Sequence, residues 1–325
     1  MNAHAPTPSE PILDRCRSLA FALAGVCPAT PTSYEAHIRK WLADGKHAEM
    51  SYLERNLDLR LDPAKLLPGA RSLILLADQY ATRNDSPQPT IPHSGKIARY
   101  AQGDDYHTVI KKRLHTLCDQ LRTEYPDHQF RACVDTAPIL EREHAARAGL
   151  GWIGKHTLLI HPRLGSYLFL SAIVTTLDLA PPRTQTTIPD HCGTCTRCID
   201  ACPTNAITPH AVDASRCISY LTIEHRSPID PALKPAIGDW LFGCDVCQEV
   251  CPHNSPRDGD ADVGARNPAY TPRTTSLPVL DVMRWTDDNR AAATRRSALK
   301  RAKLEMFHRN AKIVADNLNA RSSQP

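Results

Sequence analysis

Apolar and polar positions change along the chain in stretches the length of single helices and strands. Residues 10–26 and 33–44 carry apolar side chains at helical spacing and are expected as amphipathic helices. Ser72-Leu-Ile-Leu-Leu-Ala77 is a continuous apolar run between Pro68-Gly69 and Asp78, which predicts a buried strand. Residues 81–95 are rich in Pro, Ser, Asn and Thr and read as a loop. Asp104 or Asp105 is placed to cap a helix running to about Tyr125. Phe130 to Val134 reads as a strand, followed by a helix to about Ala148 that Gly149 closes. Leu158 to Ile160 and Tyr167 to Thr175 are expected as two further strands joined in a hairpin. From about Asp281 to Leu318 the pattern is helical again. Strands alternating with helices predict an α/β layered fold.

Pro/Thr-rich residues 180–189 mark a boundary, and residues 255–278 are irregular, so three segments are expected: 1–180, 181–265 and 266–325. Apolar residues are 42% and charged residues 23% of the 325, which excludes disorder and a disulfide mini-scaffold. The longest mainly apolar stretch, Tyr167 to Val174, is far short of the roughly 20 residues a bilayer needs. Residues 18–26 faintly resemble a signal core, but Glu10 and Asp14 precede them, so they are read as core and the protein is expected in the cytoplasm. Charge is uneven. Between Arg290 and Pro325 nine Lys/Arg face two Asp/Glu, a net of +7, and with the whole chain at +4 the remainder is −3. A basic end on a slightly acidic body suits a polyanionic partner, although a solvated charged face is the plainer reading of the run itself. Arg296, Lys300 and Lys303 would share one helical face, with Leu299, Met306 and Ile313 on another.

The twelve cysteines are the strongest chemical signal. Cys16, Cys27, Cys118 and Cys133 lie in apolar-patterned segments and are expected as small core residues. The other eight crowd between positions 192 and 251. Cys192, Cys195, Cys198 and Cys202-Pro203 form C-x2-C-x2-C-x3-C-P, the run of two-cluster ferredoxins, whose fourth cysteine ligates the other cluster. Cys244, Cys247 and Cys251-Pro252 repeat its end, and Cys217 supplies the missing ligand. Cluster A then takes Cys192, Cys195, Cys198 and Cys251; cluster B takes Cys202, Cys217, Cys244 and Cys247. Two four-cysteine zinc sites are the alternative, which the reciprocal C-x3-C-P ends disfavour.

Six further stretches narrow the reading. They are Arg99-Tyr-Ala-Gln-Gly-Asp-Asp-Tyr-His107, Val134-Asp-Thr-Ala-Pro-Ile-Leu-Glu-Arg142, Ala148-Gly-Leu-Gly-Trp-Ile-Gly-Lys155, Arg216-Cys-Ile-Ser-Tyr-Leu221, Gly243 to Pro252, and Arg309-Asn-Ala311. With Arg60-Leu-Asp-Pro63 and Pro68-Gly-Ala70 they resemble the epoxyqueuosine reductases, in the family's order and over nearly the whole chain. The resemblance implies a nitroreductase-like cobalamin-binding domain, a ferredoxin-like domain with two [4Fe-4S] clusters, and a short helical basic C-terminus. It also implies the activity: reduction of epoxyqueuosine to queuosine in the anticodon loop of tRNA, the last step of queuosine synthesis. The chain resembles the short form of the family, without the helical-repeat domain that many members carry after Arg-Asn-Ala.

Removing an epoxide oxygen to leave an alkene needs two electrons, an acid, and a nucleophile strong enough to open the ring, for which cob(I)alamin suffices. By the resemblance Asp135 is the proton donor, and Arg60, Ala98, Asp135, Leu140, Glu141, Arg142, Leu159, Leu170 and Ser219 border cobalamin. Cluster B would feed cobalt, and cluster A would take electrons from an external low-potential donor. From sequence alone Asp135 also suits a helix N-cap, and it is a useful acid only if its pKa is raised. Arg295, Arg296, Lys300, Arg301, Lys303, Arg309 and Lys312 would meet tRNA phosphates. A monomer is expected. A reductive dehalogenase-like enzyme and a non-catalytic iron–sulfur protein without a corrin are the competing readings.

Overall fold

The computed structural model describes residues 6–85, 91–255 and 266–322. The middle of the 81–95 loop, the close of the cysteine-rich segment at 265 and the last three residues lie outside them. Among the described residues no helix is long and apolar enough to cross a membrane.

The centre is a four-stranded antiparallel sheet. Its strands are β1 (Leu23–Pro28), β2 (Ser72–Gln79), β4 (Phe130–Val134) and β5 (Leu168–Thr175), in the order β1-β2-β5-β4. The apolar run of β2 is continuous because both faces are covered. Ile74 and Leu76 enter one core with Ile12, Cys16, Leu114 and Phe169. Leu73, Leu75 and Ala77 enter the opposite core with Leu66, Cys133, Ala145 and Leu159. Helices α1 (Glu10–Ser18) and α2 (Tyr106–Glu124) cover the first face, and α3 (Glu141–Arg147) covers the second. The result is a three-layer, mixed helix and strand fold.

A second sheet joins all three segments. Strand β3 (Ser94–Ile97) pairs in parallel with β6 (Trp240–Phe242) and antiparallel with β7 (Ser276–Pro278). Its core holds Ile97, Leu241, Phe242, Leu299, Met306 and Phe307. Met306 and Phe307 come from the C-terminal helix α4 (Leu304–Ser322).

Three expectations change. The helix expected over 10–26 ends at Ser18; Ala20 turns back at φ +61°, and β1 follows. A side chain at Gly25 would come within 2.4 Å of the Ala148 carbonyl oxygen, so this strand needs glycine there. The expected hairpin does not form: Leu159–Ile160 pairs with Trp152–Ile153, whereas β5 pairs in the central sheet. The basic C-terminal helix is broken. Asp287–Thr294 is helical, Arg296 sits at φ +59°, Ser297 caps a short 3-10 turn at Ala298–Arg301, and α4 starts only at Leu304. Arg296, Lys300 and Lys303 therefore share no helical face, and Leu299 lies outside the helix that carries Met306 and Ile313.

Candidate active site and cysteine pocket

Strand β4 ends at Val134 and delivers Asp135 to the edge of the sheet in a left-handed conformation, φ +46°. The N-cap alternative does not apply: α3 begins at Glu141 with Leu140 as its cap. The carboxylate is instead held from the side. His107 Nε2 lies 2.9 Å from Asp135 Oδ2, and His107 Nδ1 lies 2.8 Å from Asp105 Oδ1. Asp105 is the N-cap of α2, accepts the His107 backbone N–H at 3.1 Å, and is ion-paired with Lys300. The Tyr106 ring stacks on His107 at 4.0 Å.

These contacts set the protonation. Desolvation pushes the Asp135 carboxyl up, but the hydrogen bond and charge of His107, with Tyr106 and Arg301 behind them, outweigh it and hold it below the usual carboxylate range. Desolvation pulls His107 down, yet the two flanking carboxylates raise it to about 9. Burial also pushes Asp105 up, and His107 and Lys300 bring it to about 2. The proton of the Asp135 pair therefore rests on His107 at neutral pH. The condition under which Asp135 would act alone as an acid, a raised pKa, is not met here. Arg99 to His107 stood out as a motif, but nothing in its spacing showed that its histidine meets Asp135.

Beyond Asp135 lies Glu141, pushed up to about 8, chiefly by burial and further by the Asp135 charge, with Arg142 and Arg60 opposing. Its Oε1 and Arg60 Nε are buried with no hydrogen-bond partner. Arg142 donates to the Thr157 carbonyl at 2.6 Å and to Thr157 Oγ1 at 3.1 Å. Leu140 and Leu170 are half-buried, Leu159 is core, and Ala98 is buried against Gly243, where a Cβ would come within 2.5 Å of its own.

The eight clustered cysteines are free and lie near enough to perturb one another electrostatically. Cys251 stands in the electrostatic field of Cys192, Cys195 and Cys198, and Cys198 in that of Cys192 and Cys195. Cys217 feels Cys202, Cys244 feels Cys247 and Cys217, and Cys247 feels Cys217, Cys202 and also Cys198 of the first run. Helix Arg197–Asp200 packs on helix Val246–Glu249, which sets the two runs side by side. Backbone N–H groups point at sulfur: Ala206 N lies 3.3 Å from Cys202 Sγ, and Ser219 and Tyr220 donate to Cys217. Burial pushes Cys251 up to about 11 and Cys244 and Cys247 higher still. Thiolates in such a place need added positive charge, which iron supplies. The four scattered cysteines are buried, with Cys16, Cys27 and Cys133 pushed up to about 12 and Cys118 to about 11, as inert core thiols are.

The second run adjoins the acid corner. Asp245, between Cys244 and Cys247, accepts the Arg99 backbone N–H at 2.7 Å, and the Tyr100 phenol feels the charges of both Asp135 and Asp245.

Most of the basic residues expected to meet RNA are engaged within the chain. Arg296 pairs with Asp104 at 2.6 Å, Lys300 with Asp105, and Arg301 with Glu224 through two bonds of 2.7 Å. Arg309 donates to the carbonyls of Leu221, His225 and Ser227, and Lys312 lies 3.7 Å from Asp316. Arg295 and Lys303 are exposed and have no side-chain partner among the described residues.

Known proteins share these features. The family model "Epoxyqueuosine reductase QueG, DUF1730" matches residues 60–136, which include Arg60, His107 and Asp135. The model "4Fe-4S double cluster binding domain" matches residues 191–254, which hold all eight clustered cysteines. The epoxyqueuosine reductase of Pseudomonas aeruginosa is 37% identical over 97% of this chain and 88% of its own length. That of Leadbetterella byssophila is 38% identical over 95% and 98%. Among solved structures, an epoxyqueuosine reductase with a tRNA-Tyr epoxyqueuosine-modified stem loop superimposes with a TM-score of 0.84, at 27% identity, over 97% of this chain and 82% of that one. The Bacillus subtilis epoxyqueuosine reductase with its aspartate catalytic loop swung out of the active site gives 0.82 at 26% identity, over 97% and 82%. The chain belongs to the epoxyqueuosine reductase family and carries its double [4Fe-4S] cluster domain.

Proposed function

We propose that this chain converts epoxyqueuosine to queuosine in the tRNA anticodon loop in the cytoplasm, as a monomer, with Asp135 as the acid beside a bound cobalamin. The observation that carries the proposal is the continuity of the site. Four half-buried thiols lead through Asp245 and Tyr100 to the Asp135 carboxylate.

Cluster A is held by Cys192, Cys195, Cys198 and Cys251, and cluster B by Cys202, Cys217, Cys244 and Cys247. Cluster B adjoins the Asp135 corner and is the inner one. Cluster A is the port for an external low-potential donor. Arg60 and Glu141, each with a buried polar atom left without a partner, fit a large polar cofactor, and Leu140, Arg142, Leu159, Leu170, Ser219 and Ala98 complete its border. When bound, cobalamin supplies a reduced metal centre able to open the epoxide. The first 180 residues then form the nitroreductase-like unit around it.

The reaction balances as epoxide plus two electrons and two protons giving alkene plus water. The chain's own part is to hold the anticodon loop, keep bulk water away and deliver protons at Asp135 to the departing oxygen. The RNA-bound relative supports tRNA as the partner here.

The test is reconstitution without oxygen, with iron, sulfide, cobalamin, a strong reductant and tRNA bearing epoxyqueuosine, followed by mass analysis of the nucleosides. Loss of one oxygen from the modified base is the expected result. No loss with iron and cobalt both bound would overturn the substrate, and no cobalt bound would overturn the cofactor.

A further inference from the structure

Each turnover puts two protons on one oxygen, while a carboxyl group carries one. The Asp135 carboxyl is moreover held below the usual carboxylate range by His107, so it has to be loaded before it can act. We infer that His107 is the group that loads Asp135 with protons, anchored by Asp105 and Lys300 from behind; the inference rests on the reading of Asp135 as the acid.

The geometry is that of a carboxylate–imidazole–carboxylate row. Asp105 Oδ1 fixes Nδ1 at 2.8 Å and Nε2 points at Asp135 Oδ2 at 2.9 Å. Only 3% of the Asp105 side chain is exposed, and Lys300 occupies its other oxygen, so the ring is pinned from its buried side. Its solvent side is open. The imidazole is 32% exposed and lies on the open face of α2 with Thr108, Lys111, Lys112 and His115. The other groups facing the row are Tyr106, which stacks on the ring and bonds Asp135, together with Arg301, Arg142, Tyr52, Tyr100 and Glu141, which interact electrostatically with Asp135. Asp104 is taken up by Arg273 and Arg296.

The transfer is simple. The Nε2–H bond of the imidazolium breaks, its electron pair stays on nitrogen, and an O–H bond forms on Asp135, which passes the proton to the substrate oxygen. The neutral ring keeps its Nδ1–H on Asp105 and takes the next proton from water at Nε2. The two electrons are those of the established reduction. His107 thus acts through Asp135 and is a positioning and proton-supplying residue, as are Asp105 and Lys300 behind it. The arrangement lets a carboxylate with an ordinary or lowered pKa serve as an acid at neutral pH.

Two measurements test this. In the purified full chain, 15N-histidine NMR, with His107 assigned by its loss in His107→Gln, should show a midpoint near 9. Asp105→Asn should lower that midpoint by about one to three units. A His107 that titrates below pH 7 in the native protein overturns the inference. In the loaded enzyme, His107→Gln should cut single-turnover rate at pH 8 by about 100-fold or more, and the fall of rate with pH should move from near 9 into the carboxylate range. Iron content and tRNA affinity should stay unchanged. An unaltered rate and pH profile in His107→Gln, with Asp135→Ala inactive, overturns the proton supply alone. Turnover by Asp135→Ala overturns the acid itself.

Discussion

Burial does opposite work in the cysteine pocket and in the Asp135 corner. In the pocket, desolvated thiols face chiefly one another, and every neighbouring thiolate raises the next. In the corner, each charge meets its counter-charge within the chain: Lys300 on Asp105, Asp105 on His107, His107 on Asp135. The pocket therefore depends on iron for its charge balance, whereas the corner is balanced by protein alone. Losing a side chain should accordingly dismantle the first and only silence the second.

The largest effect belongs to the pocket. Cys247→Ser removes one ligand from the inner set; it should lose about half of the iron and all turnover, because one four-thiolate set is broken. Cys118→Ala, in the apolar core, should keep full iron and measures the cost of a cavity alone. Full iron in Cys247→Ser would break the ligand assignment. Next comes Asp135→Ala, which should lower turnover by about 10²- to 10⁴-fold with iron, cobalt and folding intact, read by metal analysis beside single-turnover rates. Loss of iron in that variant would join the two regions into one structural unit.

Legibility in the sequence followed the same division. The cysteine runs speak through spacing alone, because three ligands of one cluster lie within one loop. Strand β2 was legible because burial on both faces leaves an unbroken apolar run. Residues 18–27 were not, since an apolar run of that length fits helix or strand until the turn at Ala20 is known. Asp135 stood out by family resemblance, but the group that faces its carboxylate is a histidine 28 positions earlier, at a helix N-terminus. Pairing between distant residues leaves no periodic trace. The internal pairs of the basic run were hidden for a related reason: charge is visible in a sequence, whereas the partner that absorbs it is not.

A middle-sized effect tests that last point. Arg309 and Asn310 lock α4 to the body. Arg309 bonds three carbonyls, and the buried Asn310 Nδ2 donates to Thr222 O at 2.9 Å and Leu241 O at 3.1 Å. Asn310→Ala leaves those acceptors unpaired and should cost about 2–3 kcal/mol in denaturant unfolding. Lys300→Glu would take the cation from Asp105 Oδ2 and set a second acid beside it, so weakened RNA binding in that variant would report damage to the acid corner as well.

The smallest effect is the most selective. Arg295 and Lys303 are the two of the seven candidate RNA-facing residues that have no partner among the described residues, so of those seven they can be reversed without unmaking an internal pair. In the double variant Arg295→Glu, Lys303→Glu the unfolding midpoint should hold. The slope of log binding constant against log salt, measured with an epoxyqueuosine stem loop, should flatten by about 0.7–0.9 for each phosphate no longer neutralised. A slope equal to that of the native chain would leave the whole C-terminal run as internal scaffolding. A flattened slope with unchanged stability would separate two RNA-facing residues from the five that brace the fold, and would place the RNA backbone at Arg295 and Lys303.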